Sequence, residues 1–255
     1  MMMEIVGLIP AGGIASRLGK IPCSKEVFPL LNHTGEISVT SARLIQYFKL
    51  AGIFEIYFII RKGKWDIPDY FGDGKDFGLN FGYLMMNLPF GAPFTINQAF
   101  PFVKDKIVAL GFPDIVFKPE NAFATIEQKL LEGKADIVLG IVPSDQYERS
   151  DMVEFDEKGT IREIIIKQDR SDLKYSWFIA MWKPSFTWYM KGYLEKLINI
   201  SPDGRILLPD GSYREVYVGD VIQSALVNGL QVDYHIFENG KYTDIGTPEE
   251  LAKLK

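Results

Sequence analysis

Gly12 and Gly13 follow the apolar run Ile5-Val6-Gly7-Leu8-Ile9-Pro10-Ala11, and Arg17 and Lys25 come soon after them. Glycines leave backbone N–H groups open to an anion, and such groups are natural partners of phosphate. Arg17 can grip phosphate oxygens with a planar fork, and Lys25 adds a compact charge. On the glycines alone, a tight strand-to-helix turn with both cations solvated fits equally well. Ala15 and Leu18 stand where a dinucleotide-binding G-x-G-x-x-G needs glycine, and no G-K-[ST] closes the loop as in a P-loop. Two aspartates add to this set. Asp114 ends Lys106-Ile107-Val108-Ala109-Leu110-Gly111-Phe112-Pro113, at a strand's carboxyl end, where ligands of open α/β sheets collect. Asp244 sits in the turn Tyr242-Thr243-Asp244-Ile245-Gly246-Thr247-Pro248-Glu249. A bound phosphate group would suit a hard divalent ion held by one or two carboxylates, a description that Mg²⁺ meets. Each aspartate also reads as an ordinary turn residue.

These residues need a frame that gathers strand ends. Strand-length apolar runs alternate with helix-length segments, the pattern of βαβ units. Strands are expected at 5–10, 56–60, 79–86, 106–110, 137–142, 177–182 and 231–237. Helices are expected over 38–51, with Ser38 as N-cap, and over 119–131, with Pro119 in the first turn. Others should cover 65–71, 186–198, 219–227 and 248–254, with a helical turn at 95–100. Residues 153–164 read as a hairpin around Asp156-Glu157-Lys158-Gly159. The predicted fold class is α/β: three α/β/α layers around a mostly parallel Rossmann-like sheet, with a small antiparallel accessory portion near residues 150–180. No linker or repeat marks a boundary, so residues 1–255 read as a single domain.

Composition narrows the partners. The 255 residues are 47% hydrophobic and 24% charged, a globular mixture long enough for a sizeable core. A net charge of −5 argues against a nucleic-acid groove or an anionic membrane surface. The one cysteine, Cys23, fits a reducing cytoplasm, and no stretch has spanning length. His33 and His235 are the two histidines, too few for a histidine-rich zinc site, and both read as structural.

The loop resembles the signature of the sugar-1-phosphate nucleotidyltransferases, glucose-1-phosphate thymidylyltransferases among them. There a first strand runs into A-G-G-x-G-[ST]-R-L with a P-K pair downstream. Here it reads Ala11-Gly12-Gly13-Ile14-Ala15-Ser16-Arg17-Leu18, then Ser24-Lys25. The family's D-x-G-T-P-E is matched at Asp244, Gly246, Thr247, Pro248 and Glu249, and its L-G-D-x metal aspartate finds its counterpart in Asp114, with Phe112 after Gly111. The run V-x-F-D-x-x-G leading to E-K-P is matched through Val153 and Phe155 to Lys167, with Ile166 and Gln168 in place of glutamate and proline. Ser150-Asp151 stands where many members have Tyr-Gly. Thr95-Ile96-Asn97-Gln98-Ala99 resembles the G-x-A-x-A helix start of the base pocket.

The resemblance implies transfer of a nucleotidyl group from dTTP, UTP or CTP to a sugar 1-phosphate or similar acceptor, with release of pyrophosphate. It assigns catalysis to Arg17, Lys25 and Lys167, and nucleotide binding to Leu8, Ala11, Gly12, Gly13, Arg17, Lys25, Gln98 and Gly111. Asp114 and Asp244 would hold Mg²⁺. A cytoplasmic enzyme without nucleic-acid or membrane partners is expected, with room for a homo-oligomer. Two other readings remain: a nucleotide-binding regulatory relative, favoured by Thr95, Phe112 and Ile166, and a nucleotide-sugar glycosyltransferase.

Overall fold

The computed structural model describes residues 3–13, 21–31, 37–86, 90–197, 206–207 and 213–245. β1 (Ile5–Pro10) is followed by a ribbon of β2 (Pro29–Leu31) and β3 (Ile37–Val39), then by α1 (Ala42–Leu50) and β4 (Glu55–Arg61). Next come α2 (Asp66–Phe71), β5 (Asn80–Met86), α3 (Ala92–Asn97), α4 (Phe100–Val103) and β6 (Ile107–Leu110). β7 (Ile115–Lys118) and α5 (Ala122–Glu132) precede β8 (Ile137–Pro143), β9 (Asp151–Phe155), β10 (Ile161–Ile166) and β11 (Tyr175–Trp182). The remainder is α6 (Pro184–Lys196), the pair β12 (Ile206–Leu207) and β13 (Tyr213–Arg214), α7 (Val218–Val227), β14 (Val232–Ile236) and β15 (Lys241–Asp244).

Nine strands form one mixed sheet in the order β10-β9-β11-β6-β1-β4-β5, with β8 also against β11 and β14 beyond β8. The pairings leave only β10 and β11 antiparallel to the rest, so the sheet is mostly parallel. Period-two alternation sorts the strand side chains to two faces. Val6, Leu8, Val108 and Leu110 pack with α3, α6 and α7 on one face. Ile9, Ile107 and Ala109 pack with α1, α2 and α5 on the other. Because both faces are covered, these strands read as unbroken apolar runs.

Several boundaries differ from expectation. Ser38 is not a helix cap but a β3 residue opposite Leu30, and α1 begins at Ala42, where its buried stripe of Leu44, Ile45 and Phe48 starts. Pro119 precedes α5 rather than entering it, and the helix runs from Ala122 to the stop at Gly133, whose N–H reaches the Lys129 carbonyl at 3.0 Å. The expected turn at 95–100 resolves into α3 and α4. The antiparallel portion near residues 150–180 is present, joined edge-on to the main sheet through β9 and β11. His33 and the helix expected at 248–254 lie outside the described residues. No helix among the described residues is long and apolar enough to cross a membrane.

Candidate functional site

Strands β1, β4 and β6 point their carboxyl ends into a cleft of about 580 Å³ whose lining includes Gly12, Gly13, Lys25 and Asp114. Gly12 is packed, since a Cβ there would come within 3.2 Å of the Met86 sulfur. Gly13 has open space around it. The backbone therefore reaches the cleft with no side chain in front of it.

Lys25 opens a short 3₁₀ turn, Lys25–Val27, that is fixed on both sides. Ser24 donates from its N–H and Oγ to the Asp66 carboxylate at 2.6 and 2.7 Å. Glu26, fully buried, accepts from the Lys64 ammonium at 2.7 and 2.8 Å. The Glu26 carbonyl accepts from the N–H and Oγ of Ser41 at 3.1 and 2.7 Å. So held, the turn carries the Lys25 ammonium onto the Asp114 carboxylate. Burial works against the Lys25 charge, yet the carboxylate of Asp114, with Glu26 and Asp244 around it, holds its pKa above the ordinary lysine value.

Asp114 and Asp244 meet although they are far apart in sequence. β15 pairs antiparallel with β7, placing Asp244 opposite Ile115, and the Ile245 N–H donates to the Asp114 carbonyl at 2.8 Å. Two carboxylates on neighbouring strands are the hard oxygen donors that a divalent cation accepts. Among the described residues no three or more His, Cys, Asp or Glu side chains gather, so phosphate and water oxygens would have to complete a coordination shell.

Lys167, just past β10, has a left-handed backbone (φ 45°), and its ammonium lies 3.7 Å from the centre of the Tyr217 ring. Non-glycine residues reach that region at a cost on the order of 1–3 kcal/mol, and such strain collects at ligand sites. Behind Tyr217, Asp220 receives both guanidinium nitrogens of Arg214 at 2.7 and 2.6 Å and reaches back to the Tyr217 N–H at 2.8 Å. That segment lies tight against the start of α3, because a Cβ on Gly91 (φ 108°) would fall 2.1 Å from the Val216 carbonyl oxygen. The contact brings Glu215 into the cleft wall beside Thr95.

Of the residues expected at the site, Gly12, Gly13, Lys25 and Asp114 line the cleft, and Asp244 adjoins Asp114. Lys167 stands on the β9–β10 side, against Tyr217. Leu8, Ala11, Gln98 and Gly111 are not among the lining residues. Leu8 and Ala11 are fully buried, and the Gln98 amide donates to the Phe94 carbonyl. Gly111 sits where a Cβ would come 2.3 Å from Leu44 Cδ1. Arg17 lies outside the described residues. Sequence reasoning missed Arg61 and Lys62, which line the cleft from the end of β4. The basic run Arg61-Lys62-Gly63-Lys64, directly after a buried strand, was the available signal.

A Bacillus anthracis structure, described as a glucose-1-phosphate thymidylyltransferase in complex with a sucrose, superposes with a TM-score of 0.81 at 21% identity over 98% of this chain and 94% of its own. The chain has the nucleotidyltransferase fold. The inositol-1-phosphate CTP transferase from T. maritima shares it with a TM-score of 0.72 at 17% identity, over 99% of this chain and 96% of its own. In sequence, the chain is 24% identical, over 97% of its length, to the low-salt glycan biosynthesis nucleotidyltransferase Agl11 of Haloferax volcanii. It spans 64% of that relative's length. No family model matches the chain. The resemblance first met at Ala11–Leu18 and Asp244–Glu249 is thus found again with nucleotidyltransferases in both sequence and fold.

Proposed function

We propose that the protein joins a nucleoside triphosphate to a phosphorylated small molecule, a sugar 1-phosphate or a close analogue, and releases pyrophosphate. One observation carries this reading: Lys25, Asp114 and Asp244 meet at the carboxyl ends of the sheet beside the bare backbone of Gly12 and Gly13. The triphosphate lies along that backbone, with Lys25 neutralising the β- and γ-phosphates, a task that the sequence resemblance also gives to Arg17. Arg61 and Lys62 add cationic charge from β4. An oxygen of the acceptor phosphate attacks the α-phosphorus, and the bond to the bridging oxygen breaks. The electron pair leaves with pyrophosphate, and a monoester anion needs no general base. Lys167 steers the acceptor phosphate. Asp114 and Asp244 would hold Mg²⁺, which when bound offsets charge on the reacting phosphates. Positioning and charge therefore do most of the chemistry.

The likeness to Agl11 and to both solved structures supports the reaction class. The base, the acceptor and Mg²⁺ dependence are what the experiment decides. Pyrophosphate release is measured from dTTP, UTP and CTP, each with glucose 1-phosphate and inositol 1-phosphate, with and without Mg²⁺. Release with at least one pair, abolished by chelation, is expected. No release from any pair despite nucleotide binding would overturn the enzyme and leave a regulatory binding protein, the reading that Phe112 in the cleft wall favours.

A further inference from the structure

Three cations line the cleft, Lys25, Arg61 and Lys62, and they are not equivalent. Lys25 is already engaged by the Asp114 carboxylate. Arg61, half-buried, and Lys62, exposed, make no side-chain hydrogen bond, ion pair or ring contact among the described residues. A guanidinium carries five N–H donors in a fixed fork, so Arg61 presents its full binding capacity to the cleft. Positive charge is also crowded there. Burial pushes the Lys64 ammonium below the ordinary lysine value, and the nearby charges of Lys25 and Arg61 push the same way, against Glu26. Glu26 answers Lys64 and Asp114 answers Lys25. No carboxylate among the described residues pairs with Arg61.

Strand order says which part of an anion Arg61 would meet. β6, β1 and β4 are consecutive in the sheet. Asp114 follows β6, Gly12 and Gly13 follow β1, and Arg61 ends β4. The parallel register pairs Pro10 with Ile59, and the Ala11 N–H reaches the Ile59 carbonyl at 2.8 Å. Carried on by two residues, this register sets Arg61 beside Gly12. Neighbouring strands lie about 4.8 Å apart, so the ends of β6 and β4 are separated by about 10 Å, with the glycine backbone between them. Lys167, just past β10, is on the far side of β6, beyond β11 and β9. A phosphate chain that reacts beside Asp114, facing an acceptor on Lys167, therefore crosses the glycines and brings its far end to Arg61.

We propose that Arg61, with Lys62 beside it, binds the terminal phosphate of the triphosphate and is the residue by which the protein distinguishes a nucleoside triphosphate from a diphosphate. The planar fork matches two oxygens of a terminal phosphate, and a diphosphate seated on the same loop stops short of it. Lys62, being exposed, adds a charge that salt screens. The two cations stand on β4 and the two carboxylates on the other side of the glycine loop, so this selection needs no divalent ion. The inference rests on the nucleotidyltransferase reading, from which the place of the reacting phosphate is taken.

The test measures binding in EDTA, so it does not depend on turnover. UTP, CTP and dTTP are each titrated calorimetrically against the corresponding diphosphate. At least one triphosphate should bind about 10- to 100-fold tighter than its diphosphate. Arg61→Gln should erase most of that ratio by weakening the triphosphate, with the diphosphate unchanged within about threefold. Arg61→Lys keeps the charge without the fork and should keep only part of the ratio. Arg43→Gln, on α1 and outside the cleft lining, should leave the ratio as it is, which separates a local contact from the loss of one charge overall. Should a variant not fold, the guanidinium Nε–H resonance of Arg61 in the wild-type protein decides: the triphosphate should shift it and the diphosphate should not. Equal affinity for both nucleotides of every pair, binding of neither, a ratio untouched by Arg61→Gln, or an equal loss in Arg43→Gln would overturn the inference. The reaction class fails separately, through absence of pyrophosphate release while the ratio stands.

Discussion

Asp151 introduces a negative charge where burial opposes it, and that has a consequence for stability. Its folded carboxyl lies near 6, above the ordinary aspartate value, so the folded chain binds the proton more tightly than the unfolded chain does. The stability this contributes is complete at low pH and is lost as pH rises through about 6. Asp151→Asn should therefore raise the melting temperature at pH 7.5, by on the order of 2 kcal/mol of stability, and the gain should vanish below about pH 4. A gain that stayed constant across pH would point to packing instead. Lys25 is the opposite case, a buried charge held by its partners. Lys25→Met should lower kcat/KM by about 100-fold or more while leaving the circular dichroism spectrum unchanged, as loss of a charge-stabilising donor does. Asp244→Asn should remove Mg²⁺-dependent turnover, and wild-type rates in that variant would refute its metal role. The chemistry of these side chains was legible in sequence because Lys25 and Asp244 sit in dense local patterns. Asp151 drew notice only as a departure from the family's Tyr-Gly, because its burial comes from packing against the start of α7.

Among the elements, the turn Lys25–Val27 depends on a buried ion pair. Burial pushes Glu26 up and Lys64 down, toward the neutral forms, and each partner's charge opposes that. Removing one partner leaves the other charge stranded, at about 3–5 kcal/mol. Urea titration of Glu26→Gln should show a loss of that size, and Glu26→Gln with Lys64→Met should recover most of it. If the single variant matched the wild type, the pair would have no role in holding Lys25. Strands such as β1, β6 and β8 could be read from their unbroken apolar runs because both faces of the sheet are covered. The ribbons β2–β3 and β7–β15 could not. They are three or four residues long, too short to show a pattern of their own, and β15 pairs with a strand that lies far back in the sequence. Ser38 was misassigned for the same reason: strand and helix N-cap both tolerate serine, and only pairing with Leu30 decides between them.

At the scale of the whole molecule, the cleft joins parts of the chain that share no local signal. The glycine loop, the turn at Lys25, the end of β6 and the last described strand supply one residue or two each. Sequence patterning could nominate Asp114 and Asp244 separately, but their adjacency comes from β15 lying against β7. Ligand and fold are thereby linked, since a triphosphate bound across these segments binds the folded chain alone. Nucleotide with Mg²⁺ at about 100 times its dissociation constant should stabilise the protein by about 2.7 kcal/mol, read as a rise in melting temperature. No rise in Asp244→Asn and the full rise in the wild type is the expected contrast. An equal rise in both would place the nucleotide elsewhere.

The β7–β15 pairing also sets an order in time. Asp244 follows Asp114 by 130 positions. At about 5–20 residues per second, a ribosome makes it roughly 7–26 s later. During that interval the growing chain has its glycine loop, Lys25 and Asp114, but lacks the second carboxylate. A nascent chain therefore cannot bring the two carboxylates together until β15 has been made and has docked on β7.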